Sequence, residues 1–444
     1  MDTSMQGART NGFLFGPGPA WFAYAMTVAL MIVDYVDRQV IVSMFPYLKA
    51  EWNLSDKELG LLVSIISITV AVFGIPVAWI ADRFGRVKSI VVMAVLWSLA
   101  CISCMFSQSY AQLLAARALV GLGEAGYGSV GAAMVATHFP HRMRAGLLGG
   151  FFASASVGSV LGVILGGVIA ARWGWQAAFG IVGVPGLIVA FLYLLVRDYK
   201  TVEGPSAGNG TAARATAAAM FRSIFRSRTA RWVCIGAAAQ LIAVSALWSW
   251  LPSFLNRTYG VAPDKAGIQA ALVVLAGAIG SVVLGAIVDW AGARRPAGRF
   301  AAIACLSIAT MLVLTAAFSA KRWGIDLTQD RQFMLILLGG FLATCTVGPA
   351  AAIVIDVIHP GVRSTGASVL SLFQNLFGLA AGPFIAGMLS DAVGLETALT
   401  LTPLSCVIAA FSFMTAANGY EAERQRAGDL AAELPVRPAK KAFA

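Results

Sequence analysis

The chain has 444 residues, of which 59% are hydrophobic and only 12% charged, and its mean hydropathy is +0.78. Soluble domains run at about 45–50% apolar and about 25% charged, so a soluble enzyme and a disordered or fibrous chain are both excluded. The net charge of +11, from 32 basic and 21 acidic residues, fits cytoplasmic loops of a membrane protein. It does not fit a nucleic-acid surface, because there is no basic–aromatic domain.

The apolar runs are continuous, which argues against a membrane β-barrel with its alternating strands. At roughly 20 residues per crossing, they predict an all-α membrane protein with twelve transmembrane helices. In chain order the spans fall at 20–48, 59–81, 88–106, 110–138, 144–171 and 175–197, then at 230–256, 265–289, 299–320, 332–358, 363–390 and 395–418. The predicted organisation is a cytoplasmic tail at 1–19, a six-helix bundle at 20–197, a linker at 198–229, a second bundle at 230–418 and a tail at 419–444. The linker is rich in Gly, Ala, Ser, Thr and Arg, with a short surface helix expected at Met220–Arg228. The tail from about Tyr420 is charged, Ala-rich and Pro-punctuated, and reads as disordered. Residues 1–20 are polar, and the first apolar run is long enough to span the bilayer, so no cleavable signal peptide is expected.

With both termini inside, twenty-two Lys and Arg residues fall on the cytoplasmic side and eight on the other. The positive-inside rule therefore selects N-in, C-in. The six cysteines all lie in apolar stretches. Cys101 and Cys104 have C-x-x-C spacing without nearby His, so they read as small apolar filler and no metal site is expected. His138, His141 and His359 fall at cytoplasmic loop mouths and read as solvated. Gly158, Gly162, Gly166 and Gly167 form a small-residue stripe whose expected role is close helix packing.

The two halves repeat each other. Asp82-Arg83-Phe84-Gly85-Arg86 follows span two, and Asp289-Trp290-Ala291-Gly292-Ala293-Arg294 follows span eight. Arg144-Ala-Gly and Arg363-Ser-Thr-Gly open spans five and eleven. Internal duplication with a site between the halves is the pattern of a secondary transporter.

These features resemble the major facilitator superfamily: the Asp-Arg-x-Gly-Arg loop, its second copy, the six-plus-six count and the central linker. The resemblance covers about residues 20–418 and implies two pseudo-symmetric six-helix bundles. Ala78 stands where that loop pattern has Gly; the second copy keeps Gly285. Within the superfamily, Asp34-Tyr-Val-Asp37-Arg38-Gln39, Arg117-Ala-Leu-Val-Gly121-Leu-Gly123-Glu124-Ala125-Gly126-Tyr127 and Asn375-Leu-Phe-Gly378-Leu-Ala-Ala-Gly382-Pro383 resemble stretches of the Spinster-like transporters. Gly-x-Gly-Glu-Ala alone is shared with organic-anion symporters. Asp34 departs from the Spinster pattern, which has Asn there. The resemblance implies proton-linked movement of lysophospholipids or sphingoid phosphates.

Ionisable groups are expensive inside a membrane, so Asp34, Asp37, Arg38, Arg117 and Glu124 are the most informative residues. Asp34 and Arg38 are four apart and share a helix face. Asp37 points about 100° away from Arg38. Arg117 and Glu124 are two turns apart on one face. A carboxylate resists ionisation in a low-dielectric cavity, and a nearby Arg opposes that. This makes Asp37 and Glu124 the expected proton-coupling carboxylates. Arg38 and Arg117 become partners that exchange between carboxylate and an anionic substrate. The plainer alternative is an ion-pair network that only pins spans one and four together.

The second half carries no mid-membrane Lys or Arg. Gln240, Ser245, Ser249, Gln374 and Asn375 lie there among Trp248, Trp250, Phe254, Phe373 and Phe377. A charged half facing an aromatic one suits an amphiphile. Tyr127, Trp248, Gln374 and Asn375 join Asp34, Arg38 and Arg117 as candidate substrate residues. Asp82, Arg83, Arg86, Asp289, Arg294 and Asp356 are expected to form an intracellular gate, with topology-setting charge as the alternative for the arginines.

No G-x-x-x-x-G-K-[ST] motif, nucleophile–base pair or metal cluster is present. The expectation is a non-enzyme without cofactor, driven by a proton gradient, monomeric, in a bacterial inner membrane. Its partners would be protons, membrane lipids and a lipid-like or small organic anion substrate, with no nucleic acid. Rival readings are a symporter for sugar acids or monocarboxylates, a drug exporter, and a transport-silent receptor or scaffold.

Overall fold

The structure, a computed structural model, describes residues 13–198, 227–325, 328–358 and 363–433. The first twelve residues, most of the expected linker, all but the end of its surface helix, and the last eleven residues lie outside these. So do His359 and the side chains of Asp82, Arg83, His141 and Arg363.

Twelve helices among the described residues are long and apolar enough to cross a membrane. Without water, every backbone polar group of a spanning segment must be satisfied within it, and each apolar run therefore closes into a helix. They are α1 (Pro17–Trp52), α2 (Asp56–Phe84), α3 (Arg86–Cys104), α4 (Tyr110–His138), α5 (His141–Trp173) and α6 (Trp175–Tyr193). The second set is α7 (Arg228–Tyr259), α8 (Pro263–Arg294), α9 (Pro296–Ser319), α10 (Gln329–Val357), α11 (Gly366–Val393) and α12, whose apolar part is Leu395–Ala427.

Helix ends follow local chemistry. Ser55 and Glu58 form a reciprocal capping box that starts α2, which satisfies backbone donors left open in the first turn. Ser109 and Ser227 cap α4 and α7 in the same way with one bond each. Gly85 turns the chain from α2 into α3 at φ +95°, a conformation that glycine tolerates without steric cost.

Five of the spanning helices are interrupted within their length, α12 by a 3-10 turn at Thr402–Leu404. α1 tightens into a 3-10 turn at Val40–Met44. α4 breaks between Glu124 and Tyr127, with Gly126 at φ +87°. α10 breaks between Ala343 and Val347. α11 contains a π-turn at Gln374–Leu379. Spans four and ten correspond in the duplication, and both are broken.

The glycine stripe of α5 lies against α1. A Cβ at Gly158 would sit 2.3 Å from the Ile32 carbonyl oxygen, and one at Gly166 would sit 2.4 Å from that of Val40. The halves meet at one end through two similar contacts. α2 meets α11, where a Cβ at Gly60 would be 2.3 Å from the Pro383 carbonyl oxygen and one at Gly387 would be 2.3 Å from that of Asp56. α5 meets α8, where Gly167 faces Pro263 and Gly267 faces Val163, at 2.8 and 2.9 Å by the same measure. Phe45 of α1 also packs on Trp250 of α7, with ring centroids 5.0 Å apart.

Two local expectations are corrected. The chain after Tyr420 stays helical to Glu433, because its Ala, Glu and Arg residues are strong helix formers and Glu423 has a partner: its carboxylate accepts from Ser227 Oγ and from the Arg228 and Thr229 amides. His138 is buried, not solvated, with Nδ1 2.9 Å from the Met134 carbonyl oxygen.

Replacing Gly158 with Leu should destabilise the protein by about 1–3 kcal/mol through overpacking. The check is the thermal unfolding midpoint in detergent. Gly146→Ala serves as the control, since nothing lies within 4 Å of its added Cβ.

Candidate functional site

The i, i+4 spacing on α1 sets Asp34 and Arg38 on one face. The Arg38 Nε lies 3.3 Å from Asp34 Oδ1 and 2.8 Å from Glu124 Oε2 of α4. The Asp34 contact has hydrogen-bond geometry. Neither carboxylate oxygen of Glu124 accepts a hydrogen bond, so that close ion pair lies off the N–H axis. The guanidinium carbon of Arg38 sits 5.2 Å from the Tyr35 ring centroid. Both carboxylates are almost fully buried, whereas the Arg38 side chain keeps 15% of its surface exposed.

Asp37 is completely buried, and no nitrogen or hydroxyl donates to its carboxylate oxygens; the Cys101 thiol is its side-chain neighbour. Unpaired buried carboxylate oxygens are costly, so Asp37 and Glu124 are the two groups of this cluster whose polar needs the protein leaves open.

Arg117 is also completely buried, but it does not pair with a carboxylate. Its guanidinium donates to the carbonyl oxygens of Asp37 at 2.8 Å, Arg38 at 3.1 Å and Leu62 at 3.4 Å. The first two belong to the residues just before the 3-10 turn of α1, where the regular hydrogen-bond ladder changes. Arg117 thus clamps a helix break, and the expectation that it meets an anionic substrate is corrected. Tyr127 is likewise turned into the bundle. Its hydroxyl donates to the Thr27 carbonyl oxygen at 2.6 Å. Gly121 and Gly123 face α2 and α3, not an open cavity: a Cβ at Gly123 would be 2.6 Å from the Trp97 amide nitrogen.

The second-half wall is smaller than the sequence predicts. Trp250 and Phe254 are core residues with no exposure. Gln240 donates to the Ala343 carbonyl oxygen at the α10 break, and Ser245 donates to that of Gly378 in the π-turn of α11. These polar groups satisfy interrupted backbone. Trp248 is partly buried beside Gly277. Gln374 is also partly buried, and Asn375 donates to the Ser371 carbonyl oxygen at 2.9 Å. Phe377 is 51% exposed and lies 5.4 Å from Phe373 between ring centroids.

The expected gate residues divide differently. Asp289 pairs with Arg299 at 2.8 Å, and Arg299 reaches Asp356 at 3.2 Å. Tyr420 donates to the same Asp356 oxygen at 2.9 Å. This network ties α8, α9, α10 and α12 within one half. Arg294 instead lies over the Trp290 ring at 3.6 Å, the i, i+4 neighbour on its own helix. Gly292 stays inside α8 against the Arg299 side chain, and the turn falls at Arg295. The second loop copy therefore does not reproduce the Gly85 turn. Arg86 approaches Thr137 at 3.5 Å within the first half.

A junction between the halves escaped the sequence reading. Asp56, 2% exposed, is the first residue of α2. It accepts from Arg257 of α7 through both terminal nitrogens, at 2.6 and 2.8 Å, from Lys49 at 2.5 Å and from Ser390 of α11 at 2.5 Å. The Asp391 carboxylate receives the Asp56 and Lys57 amides at 2.8 Å each, capping α2 from the other half. The Ser55-x-x-Glu58 pattern was the available signal, because it fixes the helix start beside Asp56.

Two six-helix halves, joined at one end and carrying buried charge inside one of them, define a transporter-type membrane protein. Residues 27–383 match the family model of the Major Facilitator Superfamily. The chain belongs to that superfamily and is a transporter, not an enzyme.

It is similar to protein spinster of Drosophila melanogaster, at 25% identity over 384 residues; the match covers 84% of this chain but only 62% of the fly protein. It is 28% identical to an MFS-type efflux pump of Mycolicibacterium smegmatis, covering 85% of this chain and 86% of the pump. It is 24% identical to the sphingosine-1-phosphate transporter SPNS2 of Mus musculus, covering 92% and 79%. The crystal structure of a bacterial homolog of the human lysosomal transporter Spinster, inward-facing and unoccupied, has the same fold, with TM-score 0.80 at 22% identity over 92% of this chain and 99% of that one.

Asp56→Ala leaves Arg257 and Lys49 facing each other across the junction. The halves should separate there in a larger fraction of molecules. Spin labels at Lys57 and Glu396 should then report a new, longer distance population, and Asp56→Glu should restore part of the original one.

Proposed function

We propose that this protein is a proton-coupled secondary transporter of an amphiphilic lipid, anionic or zwitterionic, such as a lysophospholipid. It would sit in a bacterial inner membrane with both termini in the cytoplasm. In that orientation the Asp56 junction would close the outer face. The observation that carries the reading is the cluster at Arg38: two buried carboxylates, Asp34 and Glu124, on one partly accessible guanidinium, with neither Glu124 oxygen taking its hydrogen.

The chemistry follows from burial. A charged carboxylate in a dry site is costly unless paired. When an anionic head group takes the exposed face of Arg38, Glu124 loses part of its pairing and gains by binding a proton. When the site is rewetted and the head group leaves, Glu124 returns to Arg38 and the proton departs. Asp37 is the second proton carrier on the same logic. Arg117 acts through backbone, holding the break in α1 that presents Asp37 and Arg38. The exposed Phe377 and its neighbour Phe373 offer apolar surface for an acyl chain in the other half.

Two of the relatives point to different readings. The SPNS2 relative transports sphingosine-1-phosphate, which favours a lipid with a charged head. The efflux-pump relative favours export, and the scarcity of free polar groups in the second half agrees with an apolar cargo in either direction. A sugar-acid symporter has less support, since Gln240 and Ser245 are already bonded to backbone.

The test is uptake of a labelled lysophospholipid and a labelled sugar acid into proteoliposomes, with and without a proton gradient. Gradient-driven lipid movement is expected. Glu124→Gln should abolish accumulation against the gradient while retaining exchange of lipid for lipid, because the cycle no longer needs to load a proton. Sugar-acid movement without lipid movement, or accumulation unaffected in Glu124→Gln, overturns the proposal.

A further inference from the structure

We propose that Asp34 is a positioning residue, the alternative anchor that holds Arg38 while Glu124 carries the proton. This rests on the reading of Glu124 as a coupling carboxylate. One Nε–H has one hydrogen, and two carboxylates approach it. Glu124 is the closer, at 2.8 Å against 3.3 Å. Yet the hydrogen is aligned on Asp34, and both Glu124 oxygens accept nothing. Coulomb attraction has no direction, whereas a hydrogen bond does. The guanidinium is therefore already engaged by Asp34 and can release Glu124 without becoming an unpaired buried cation, which is the expensive alternative.

The departure from the Spinster pattern gains a physical meaning here. An Asn at this position has the same shape and can accept the same hydrogen, but it brings no charge. With Asn, neutralising Glu124 strips Arg38 of its only bonded anion. With Asp34, one negative charge stays on the guanidinium in both states of Glu124. Asp37 does not substitute for it, since no nitrogen donates to its carboxylate, which points elsewhere on the helix. The other titratable groups around the pair are Tyr35 on α1, Arg117, Tyr127 and Tyr193 on α4 and α6, and Cys101 on α3. Among them, Arg117 has its bonds committed to carbonyl oxygens. Tyr127 and Tyr193 are bonded toward Thr27. Asp34 and Glu124 thus share Arg38, and their carboxyl groups also face each other directly, within hydrogen-bonding reach when Glu124 holds the proton.

The experiment measures lysophospholipid transport in proteoliposomes across a pH series for wild type, Asp34→Asn, Asp34→Glu, Glu124→Gln and the Asp34→Asn, Glu124→Gln double variant. In Asp34→Asn, Glu124 is the sole anion bonded to Arg38 and is harder to protonate. Its pH midpoint should move about one unit toward acid, a tenfold higher proton concentration. Asp34→Glu keeps the charge and should keep the wild-type midpoint. Glu124→Gln should lose the midpoint, with or without Asp34→Asn. An unshifted Asp34→Asn, an Asp34→Glu shifted as far as Asn, or an Asp34→Asn shift that persists beside Glu124→Gln overturns the inference. If Glu124→Gln alone keeps the wild-type midpoint, the coupling role of Glu124 falls first, and this inference falls with it.

Discussion

The structure is organised around one constraint: a charge moved out of water must be matched where it lies. Arg38 is the focus of that constraint in the first half. Two carboxylates converge on its Nε, and the break in α1 just beyond it is held by two hydrogen bonds from Arg117, whose third goes to Leu62 of α2. The glycines of α4 and α5 make this possible. They bring α1, α2 and α3 close enough for the charged side chains of α1 and α4 to reach one another. Helix packing and electrostatics are here one arrangement, since a bulky residue at Gly123 or Gly158 would move the partners of Arg38 apart.

The second half solves a different problem with similar means. Two of its polar side chains serve interrupted backbone, Gln240 at the α10 break and Ser245 at the π-turn of α11, while Thr344 at the α10 break donates to the Gly277 carbonyl oxygen of α8. Broken helices at membrane depth are tolerated only where protein or a cavity satisfies them. The duplication has therefore diverged in chemistry while keeping the breaks in spans four and ten. One copy invested its polar residues in charge, the other in backbone repair.

The spans were legible because an apolar run of sufficient length has a single outcome in a bilayer, and all twelve appear where the hydropathy puts them. The meeting of Asp34 and Arg38 was legible from helical spacing alone. Arg117 was not, because its acceptors are carbonyl oxygens, which no side-chain pattern reveals. Arg299 was missed in favour of Arg294 because the sequence places both near Asp289, and only the turn at Arg295 decides which one folds back. Asp56 falls between the first two predicted spans, where no pattern singles it out. Its partners come from residues 49, 257 and 390, a separation that only the assembled halves bring to zero. The helical extension beyond Tyr420 was obscured by its polarity, which resembles a disordered tail until Glu423 finds the start of α7.

The junction between the halves has a consequence for the speed of the molecule. Glycines bring backbone against backbone at Gly60, Gly387, Gly167 and Gly267, and such surfaces carry little apolar area. Parting them exposes little that water rejects, so these contacts add only modestly to the barrier. Beside the buried Phe45–Trp250 contact, the resistance is concentrated in the polar knot at Asp56. A barrier held at one point differs from one spread over a surface: it is crossed in a single event, it responds steeply to one substitution, and evolution can retime it without rebuilding the helices around it.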